Sequence, residues 1–434
     1  MDWISTLARH YFDIVSGELR VGGVPVSELV ARFGTPVFIY DAAVLDHQLR
    51  ELREALTPSF DVYYSVKANP NPWILRHFVD RGCGLEIASA GEYHAAVAAG
   101  CPRDRILFAG PGKTSGELEV ALTRGVGEIH VESPTEIRRV AQLARRLGSP
   151  AAVGLRINPG PNALGGALQM GGKSAPFGID EERLDEAADL VLREDGLRLT
   201  GIHLFTGTQI LDATVLVRQY QAGIAIARRL AVRLGRSLPS VDLGGGLGIP
   251  YGQTDTPLDL TKLREGVAAL WTSVVGDRLF DGTRFIVEPG RFLAGPAGIY
   301  VTSVVDVKVS RGKTFVVTDG GMNHHLAASG HLGQALRRNF PVAIINRLDC
   351  DARVVAEVVG PLCTPLDVLA RGAQVSAPEI GDLVGVFQSG AYARSASPLN
   401  FLSHSTPPEV LVRDGHAQLI RRRGTPDDHL RDVP

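Results

Sequence analysis

From about Thr35 to Ile286, short apolar runs alternate with longer segments in which apolar residues recur every three or four positions. The runs predict strands at Val37–Tyr40, Asp61–Val66, Gly84–Ile87, Ile106–Phe108, Glu128–Val131, Ala152–Ile157, Leu199–Leu204, Ser240–Leu243 and Arg284–Val287. The amphipathic segments predict helices, among them Ala42–Leu56, Ala90–Ala99, Pro134–Leu147, Glu181–Arg193 and Ala213–Leu234. Strand–helix alternation of this length calls for a parallel sheet with helices packed on it. About eight such units over roughly 250 residues match a (β/α)8 barrel. A doubly wound sheet is the competing topology.

After Pro289 the texture changes. Val301–Ser310, Thr314–Thr318, Arg353–Val359, Leu383–Phe387 and Glu409–Arg413 read as strands separated by Gly and Pro, with helix confined to stretches near His331–Arg338. This predicts a second, mostly antiparallel β domain, joined by Phe12–Val15 and Glu18–Val21 from the N-terminal segment. The expected division is residues 1–34 with the β domain, 35–288 as the barrel, 289–420 as the C-terminal β domain, and 421–434 as a polar, frayed tail.

Composition narrows the class. Hydrophobic residues make up 44% and charged residues 21%, as in a globular protein with large cores. A net charge of −2 gives no global attraction to nucleic acid or an anionic membrane. The four cysteines (Cys83, Cys101, Cys350 and Cys363) show neither a CxxC pair nor metal-ligand spacing, so reduced thiols and no metal are expected. The first residues are charged throughout and lack the apolar core of a signal peptide. No apolar run approaches the ~18 residues that span a bilayer. A soluble cytoplasmic protein is expected.

Lys67, in Tyr63-Tyr64-Ser65-Val66-Lys67-Ala68-Asn69-Pro70, follows an apolar strand and precedes a turn. The ends of such strands are where α/β folds keep their chemistry. The chain has six lysines against 39 arginines, so a lysine here points to what arginine lacks: it can lose its proton and attack a carbonyl. A strand-end lysine reaching solvent is the plain alternative. Val241-Asp242-Leu243-Gly244-Gly245-Gly246 is a late strand entering a glycine loop, which could cradle a phosphate or simply turn. Glu288-Pro289-Gly290-Arg291 closes the last barrel strand, either as a structural ion pair or as a holder of a cationic nitrogen and an anion. Cys363, in Gly360-Pro361-Leu362-Cys363, and Tyr392, in Gly390-Ala391-Tyr392, are chemically capable but individually read as packing.

Together and in this order these segments resemble the fold-type III pyridoxal-phosphate (PLP) decarboxylases, which include diaminopimelate and ornithine decarboxylases. The likeness runs from about Pro36 to Tyr392. It also takes in Cys83–Glu92 (CGLEIASAGE), Leu155–Pro159 (LRINP) and Asp319–Asn323 (DGGMN). It implies a PLP-binding barrel with an alanine racemase-like β domain. Lys67 would hold PLP as an aldimine, and Glu288 would pair with the pyridine nitrogen so that the ring accepts the electrons released with CO2. The amides of Gly244, Gly245 and Gly246, with Gly290, Arg291, Tyr392 and Thr208, would hold the phosphate. Phe205 stands where the family usually has a histidine stacked on the ring, and it can still stack as an apolar face. Cys363, delivered by the partner subunit of a homodimer with shared active sites, would reprotonate the quinonoid carbon.

Departures from the family pattern bear on substrate. After the catalytic cysteine the relatives carry an acid facing the substrate's distal ammonium; here that position is Thr364. A buried ammonium without its carboxylate costs several kcal/mol, so a distal amine is disfavoured. The arginine and tyrosine that grip the distal carboxylate of diaminopimelate are replaced by Ala327 and His331. His203 remains two residues before Phe205 and is expected on the same side of its strand. Substrate contacts are expected from His203, Arg291, His331, Thr364 and Tyr392. The pattern resembles a side branch that decarboxylates a glutamyl group linked to an acyl carrier protein. A free amino acid with an uncharged side chain meets the same constraints. Diaminopimelate decarboxylase, an amino-acid racemase and a non-catalytic PLP-binding homologue are the alternatives.

Overall fold

A computed structural model describes residues 3–56, 60–160, 174–332 and 338–433. The chain divides into two units: Leu49–Ile249 with Pro257–Phe292, and Met1–Gln48 with Pro250–Thr256 and Leu293–Pro434.

The first unit is a closed parallel barrel. Its eight staves are Phe60–Ser65, Gly84–Ile87, Ile106–Phe108, Glu128–Val131, Ala151–Asn158, Leu197–Leu204, Ser240–Asp242 and Arg284–Val287. The last pairs with the first, Phe285 beside Phe60 and Val287 beside Val62, so no edge is left open. Most stave residues are buried on both faces, which is why they read as continuous apolar runs rather than alternating ones. The outer helices start at side-chain caps: Ser89 accepts from the Glu92 amide, Ser133 from Glu136, and Thr114 forms a reciprocal box with Glu117. These caps fix where each stave ends and hence where the residues after it point.

The second unit is a nine-stranded sheet, mostly antiparallel, with Gly298–Ser310 at its centre. Two pairings are parallel, Lys313–Thr318 with Arg353–Val359 and Val37–Asp41 with Glu409–Arg413. A small sheet of Asp13–Val15, Glu18–Val21 and Val24–Pro25 adds to this unit, as the N-terminal pattern predicts.

Three expectations change. Val37–Tyr40 is not a stave: it pairs with Gly298–Ser310 and Glu409–Arg413, which moves the start of the barrel unit from residue 35 to Leu49. All five residues of Val37–Asp41 are buried, so the strand carries the same unbroken apolar signature as a stave. The tail expected to fray from residue 421 is tied down at its start: Arg421 ends the strand His416–Arg421, and Arg423 donates to the carbonyls of Phe33 and Pro36. Val342–Ile344, Val368–Ser376 and His416–Arg421 are strands without a sequence signal strong enough to stand out. The helix expected near His331–Arg338 falls largely on residues 333–337, outside the described residues. No described helix is long and apolar enough to cross a membrane.

Candidate active site

Lys67 sits in the single 3-10 turn Val66–Ala68 that follows the first stave. Its Nζ lies 3.3 and 3.2 Å from the two carboxylate oxygens of Glu86 on the neighbouring stave, and 5.4 Å from the centroid of the Phe205 ring. Glu86 is buried and also accepts from Ser65 Oγ at 2.6 Å. The Lys67 side chain is 39% exposed, whereas Lys113, the other lysine described in this unit's core, is fully enclosed by Glu136 and two carbonyls. Gly290 explains how the turn is held. A Cβ there would come within 2.9 Å of Ala68 Cβ, and the Ser65 amide donates to Pro289 O at 3.2 Å. The motif ending the last stave therefore buttresses the turn that carries Lys67.

Inside the barrel lies a buried layer of ionisable groups. Glu128 and His130 alternate along one stave, His203 and Asp242 come from two others, and Glu288 follows the last. The His130 and His203 rings stack at 4.3 Å. His203 Nε2 lies 3.3 Å from Glu288 Oε2, and His130 Nε2 lies 3.2 Å from Glu128 Oε1. Burial lowers His203 to about 4, so its ring is neutral at neutral pH. Burial also works against charge on Glu288, but His203, Lys67 and His130 outweigh it and keep the carboxylate ionised. Burial and the adjacent Glu288 charge push Asp242 well above the usual carboxylic-acid range, so it holds its proton. Glu288 Oε1 is buried with no hydrogen-bond partner among the described residues. An ionised, enclosed carboxylate with an unsatisfied oxygen is what a protonated ring nitrogen requires. The donor atoms of His130, His203, Asp242 and Glu288 also lie within 4.8 Å of one another, a set a divalent cation could use. The two uses compete for Glu288.

The glycine loop is packed so closely that no side chain fits. A Cβ on Gly244 would lie 2.1 Å from Leu204 O, on Gly245 2.3 Å from Glu288 O, and on Gly246 2.7 Å from Gly207 O. Gly244 (φ +71°) and Gly246 (φ +100°) also adopt left-handed backbone. The three amides are not equivalent, as the sequence reading had them: Gly244 N–H donates to Asp242 Oδ1 at 2.9 Å. The Gly245 and Gly246 amides make no hydrogen bond among the described residues and are the pair a phosphate can use. Thr208 is half-buried in the segment that packs on this loop.

The β unit carries the remaining candidates. Cys363 is exposed, on a loop shaped by Asp367, whose carboxylate accepts the amides of Leu362 (2.8 Å) and Met322 (2.6 Å). Asp367 thereby ties the GPLC loop to the DGGMN segment. A Cβ on Gly321 or Gly360 would fall 2.2 or 2.4 Å from an Asp367 carboxylate oxygen. Thr364 Oγ1 accepts from the Leu366 amide at 3.3 Å, closing the turn after Cys363. Tyr392 is half-buried at φ +53°. Ala327 is 5% exposed and His331 is exposed in a bend.

Thus Lys67, Phe205, Thr208, Gly244, Gly245, Gly246, Glu288, Gly290 and Arg291 belong to the barrel unit, and His331, Cys363, Thr364 and Tyr392 to the β unit. His203, expected among substrate contacts, is instead buried against Glu288 and His130. Its stave ends at Leu204, so Phe205 has left the pleat and reaches Lys67 while His203 stays inside. Sequence reasoning missed Glu86, Glu128, His130 and Asp242 as site residues. A signal existed in Glu128-Ile129-His130-Val131-Glu132, where ionisable residues at every second position of a buried strand must share one face.

The profile of the pyridoxal-dependent decarboxylases, pyridoxal binding domain, matches residues 42–295. The L-glutamyl-[BtrI acyl-carrier protein] decarboxylase of Niallia circulans is 40% identical over 406 residues, covering 93% of this chain and 94% of that protein. The diaminopimelate decarboxylase of Zymomonas mobilis is 34% identical over 433 residues, covering 97% and 98%. The crystal structure of diaminopimelate decarboxylase from M. jannaschii superposes with a TM-score of 0.88 at 26% identity, covering 99% of both chains. A solved complex of the Helicobacter pylori diaminopimelate decarboxylase with L-lysine gives 0.83 at 28% identity, covering 94% and 98%. With the barrel, the β unit and these likenesses in agreement, the chain belongs to the pyridoxal-dependent decarboxylases and its cofactor is pyridoxal 5′-phosphate.

Proposed function

We propose that this decarboxylase removes the α-carboxylate of a glutamyl group carried as a thioester on an acyl carrier protein. The observation that carries this reading is Thr364. Where a free diamino acid needs an anion for its distal ammonium, the loop offers a hydroxyl already engaged by the Leu366 amide. The closed-in Ala327 agrees, since a side chain so enclosed leaves no arginine-sized grip for a distal carboxylate. Higher identity to the carrier-linked glutamyl decarboxylase than to the diaminopimelate enzyme points the same way.

In this reading Lys67 would hold the cofactor through Nζ, and Glu86 positions that Nζ while it is free. Bound PLP supplies an electron sink for the carbanion left by CO2. Glu288 would pair with the protonated ring nitrogen, and neutral Asp242 and His203 leave the negative charge on Glu288 alone. Phe205, beside Lys67 Nζ, would offer an apolar face to the cofactor and exclude water there. The Gly245 and Gly246 amides, with Thr208, Gly290, Arg291 and Tyr392, hold the phosphate. Cys363 of a second subunit returns a proton to the α-carbon, so the working form is a homodimer.

The test is CO2 release from glutamyl-carrier thioester, free L-glutamate and meso-diaminopimelate side by side. Turnover of the carrier-linked group well above the other two is expected. Efficient release from meso-diaminopimelate would overturn the reading in favour of diaminopimelate decarboxylation, to which the likeness along 97% of the chain lends support.

A further inference from the structure

Beside the Cys363 loop, within the β unit, lies an open groove of about 590 Å³ whose makeup none of the roles above explains. It runs along one face of Gly298–Ser310, Lys313–Thr318 and Arg353–Val359. The register sets Lys308 opposite Phe315 and Phe315 beside Glu357, and Val317 beside Val359. Since alternate strand positions share a face, Lys308, Lys313, Phe315, Val317 and Val359 all look into the groove. Arg371, from the next strand, adds a third cation.

This cationic end is unusual for the chain. Only six lysines occur in 434 residues, and two of them are here. Lys308, Lys313 and Arg371 form no ion pair among the described residues. Exposed arginines elsewhere do find partners, as Arg145 with Glu194 and Arg233 with Asp189. The floor beyond the cations is mainly apolar, made by Phe315, Val317 and Val359, with one carboxylate, Glu357, on the same face; the far end is walled by Leu362, Thr364 and Asp367, the first two flanking Cys363. From Lys313 to Thr318 the strand has six residues and five steps, about 17 Å at ~3.4 Å per step. An anion bound at one end of such a groove would place an extended apolar arm with its tip at the Cys363 loop.

We propose that the groove docks the phosphopantetheine arm of the carrier protein. Its phosphodiester would lie among Lys308, Lys313 and Arg371, and its pantetheine chain would run over Phe315 and Val317 to present the thioester beside Thr364. The proposal rests on the carrier-linked reading and supplies that reading with a docking surface. It also accounts for a neutral Thr364, which faces an uncharged thioester tail rather than an ammonium.

The experiment compares binding of 4′-phosphopantetheine and pantetheine to the PLP-loaded enzyme, unsubstituted and as the Lys308→Glu/Lys313→Glu double variant. At low salt the unsubstituted enzyme should bind the phosphorylated compound about tenfold more tightly, and added salt should erase the difference. The double variant should show no preference. Its KM for the carrier-linked substrate should rise about tenfold, with kcat and turnover of a short glutamyl N-acetylcysteamine thioester unchanged. Equal binding of the two compounds by the unsubstituted enzyme, or equal loss with the phosphate-free thioester, would overturn the proposal. Phosphate-dependent binding without CO2 release from any carrier-linked group would uphold the groove and remove the functional reading instead.

Discussion

In the barrel unit Glu128, His130, His203, Asp242 and Glu288 lie at 0–4% exposure, packed against one another. In the β unit Cys363 stands exposed on a loop whose fixed point, Asp367, bonds backbone rather than other reactive groups. The first arrangement sets protonation states before any ligand arrives, because in low dielectric each group is governed by its neighbours. The second fixes a position and leaves the chemistry to whatever covers the loop. A proton donor to a carbanion needs water excluded around it, so under the proposed function the exposed thiol would need the covering that a second subunit would supply.

The contrast can be broken most severely at Lys67. Lys67→Ala should lower product formation roughly 10^4-fold or more, as loss of the group that holds the reaction covalently. Borohydride should then no longer fix the cofactor to the chain, which peptide mass analysis would report. Cys363→Ala should cost about 10^2–10^4-fold in kcat while borohydride still fixes the cofactor at Lys67. Unchanged turnover there would mean that the exposed loop serves a structural purpose only.

Gly245→Ala probes the rigid side. Its Cβ would meet the Glu288 carbonyl at 2.3 Å, so a loss of about 1–3 kcal/mol in stability and weaker cofactor binding are expected. Gly116→Ala, in a helix first turn with nothing within 4 Å, should instead be neutral or gain up to about 1 kcal/mol in thermal unfolding.

Per pH unit the effects are slopes of about 1 kcal/mol and of opposite sign. In the β unit burial lowers His325 from 6.5 to about 3. Its contribution is therefore present above about 6.5 and is lost as pH falls toward 3, by of order 1 kcal/mol per pH unit. In the barrel, burial raises Glu92 from 4.5 to about 7. Its contribution is full below 4.5 and is lost as pH rises through 7. His325→Asn should flatten the acid limb of the denaturation profile, and Glu92→Gln the limb between pH 4.5 and 7. Slopes that persist in these variants would place the titration elsewhere.

Much of this was legible in the chain. The staves announced themselves because parallel strands buried on both faces are unbroken apolar runs. Lys67, Glu288 and the glycines stood out because they lie just past such runs. Val37–Asp41 misled for the same reason, being equally buried in a different sheet. The pairing of Lys67 with Glu86, the stacking of His130 on His203 and the engagement of the Gly244 amide were not legible. The first two depend on which staves the closed barrel brings together, which local pattern does not encode; the third is a turn closed over two residues, and its signal, an aspartate two positions before a glycine, went unread.

The Asp367 clamp has a consequence for how such enzymes diverge. Because the backbone before Cys363 is held from residue 367, position 364 can vary with little movement of the thiol if the new side chain still closes the turn to Leu366. An aspartate there could accept the same Leu366 amide that Thr364 accepts. Under the proposed function, preference for the substrate's tail can thus begin to shift at one codon, while the reaction itself is inherited intact.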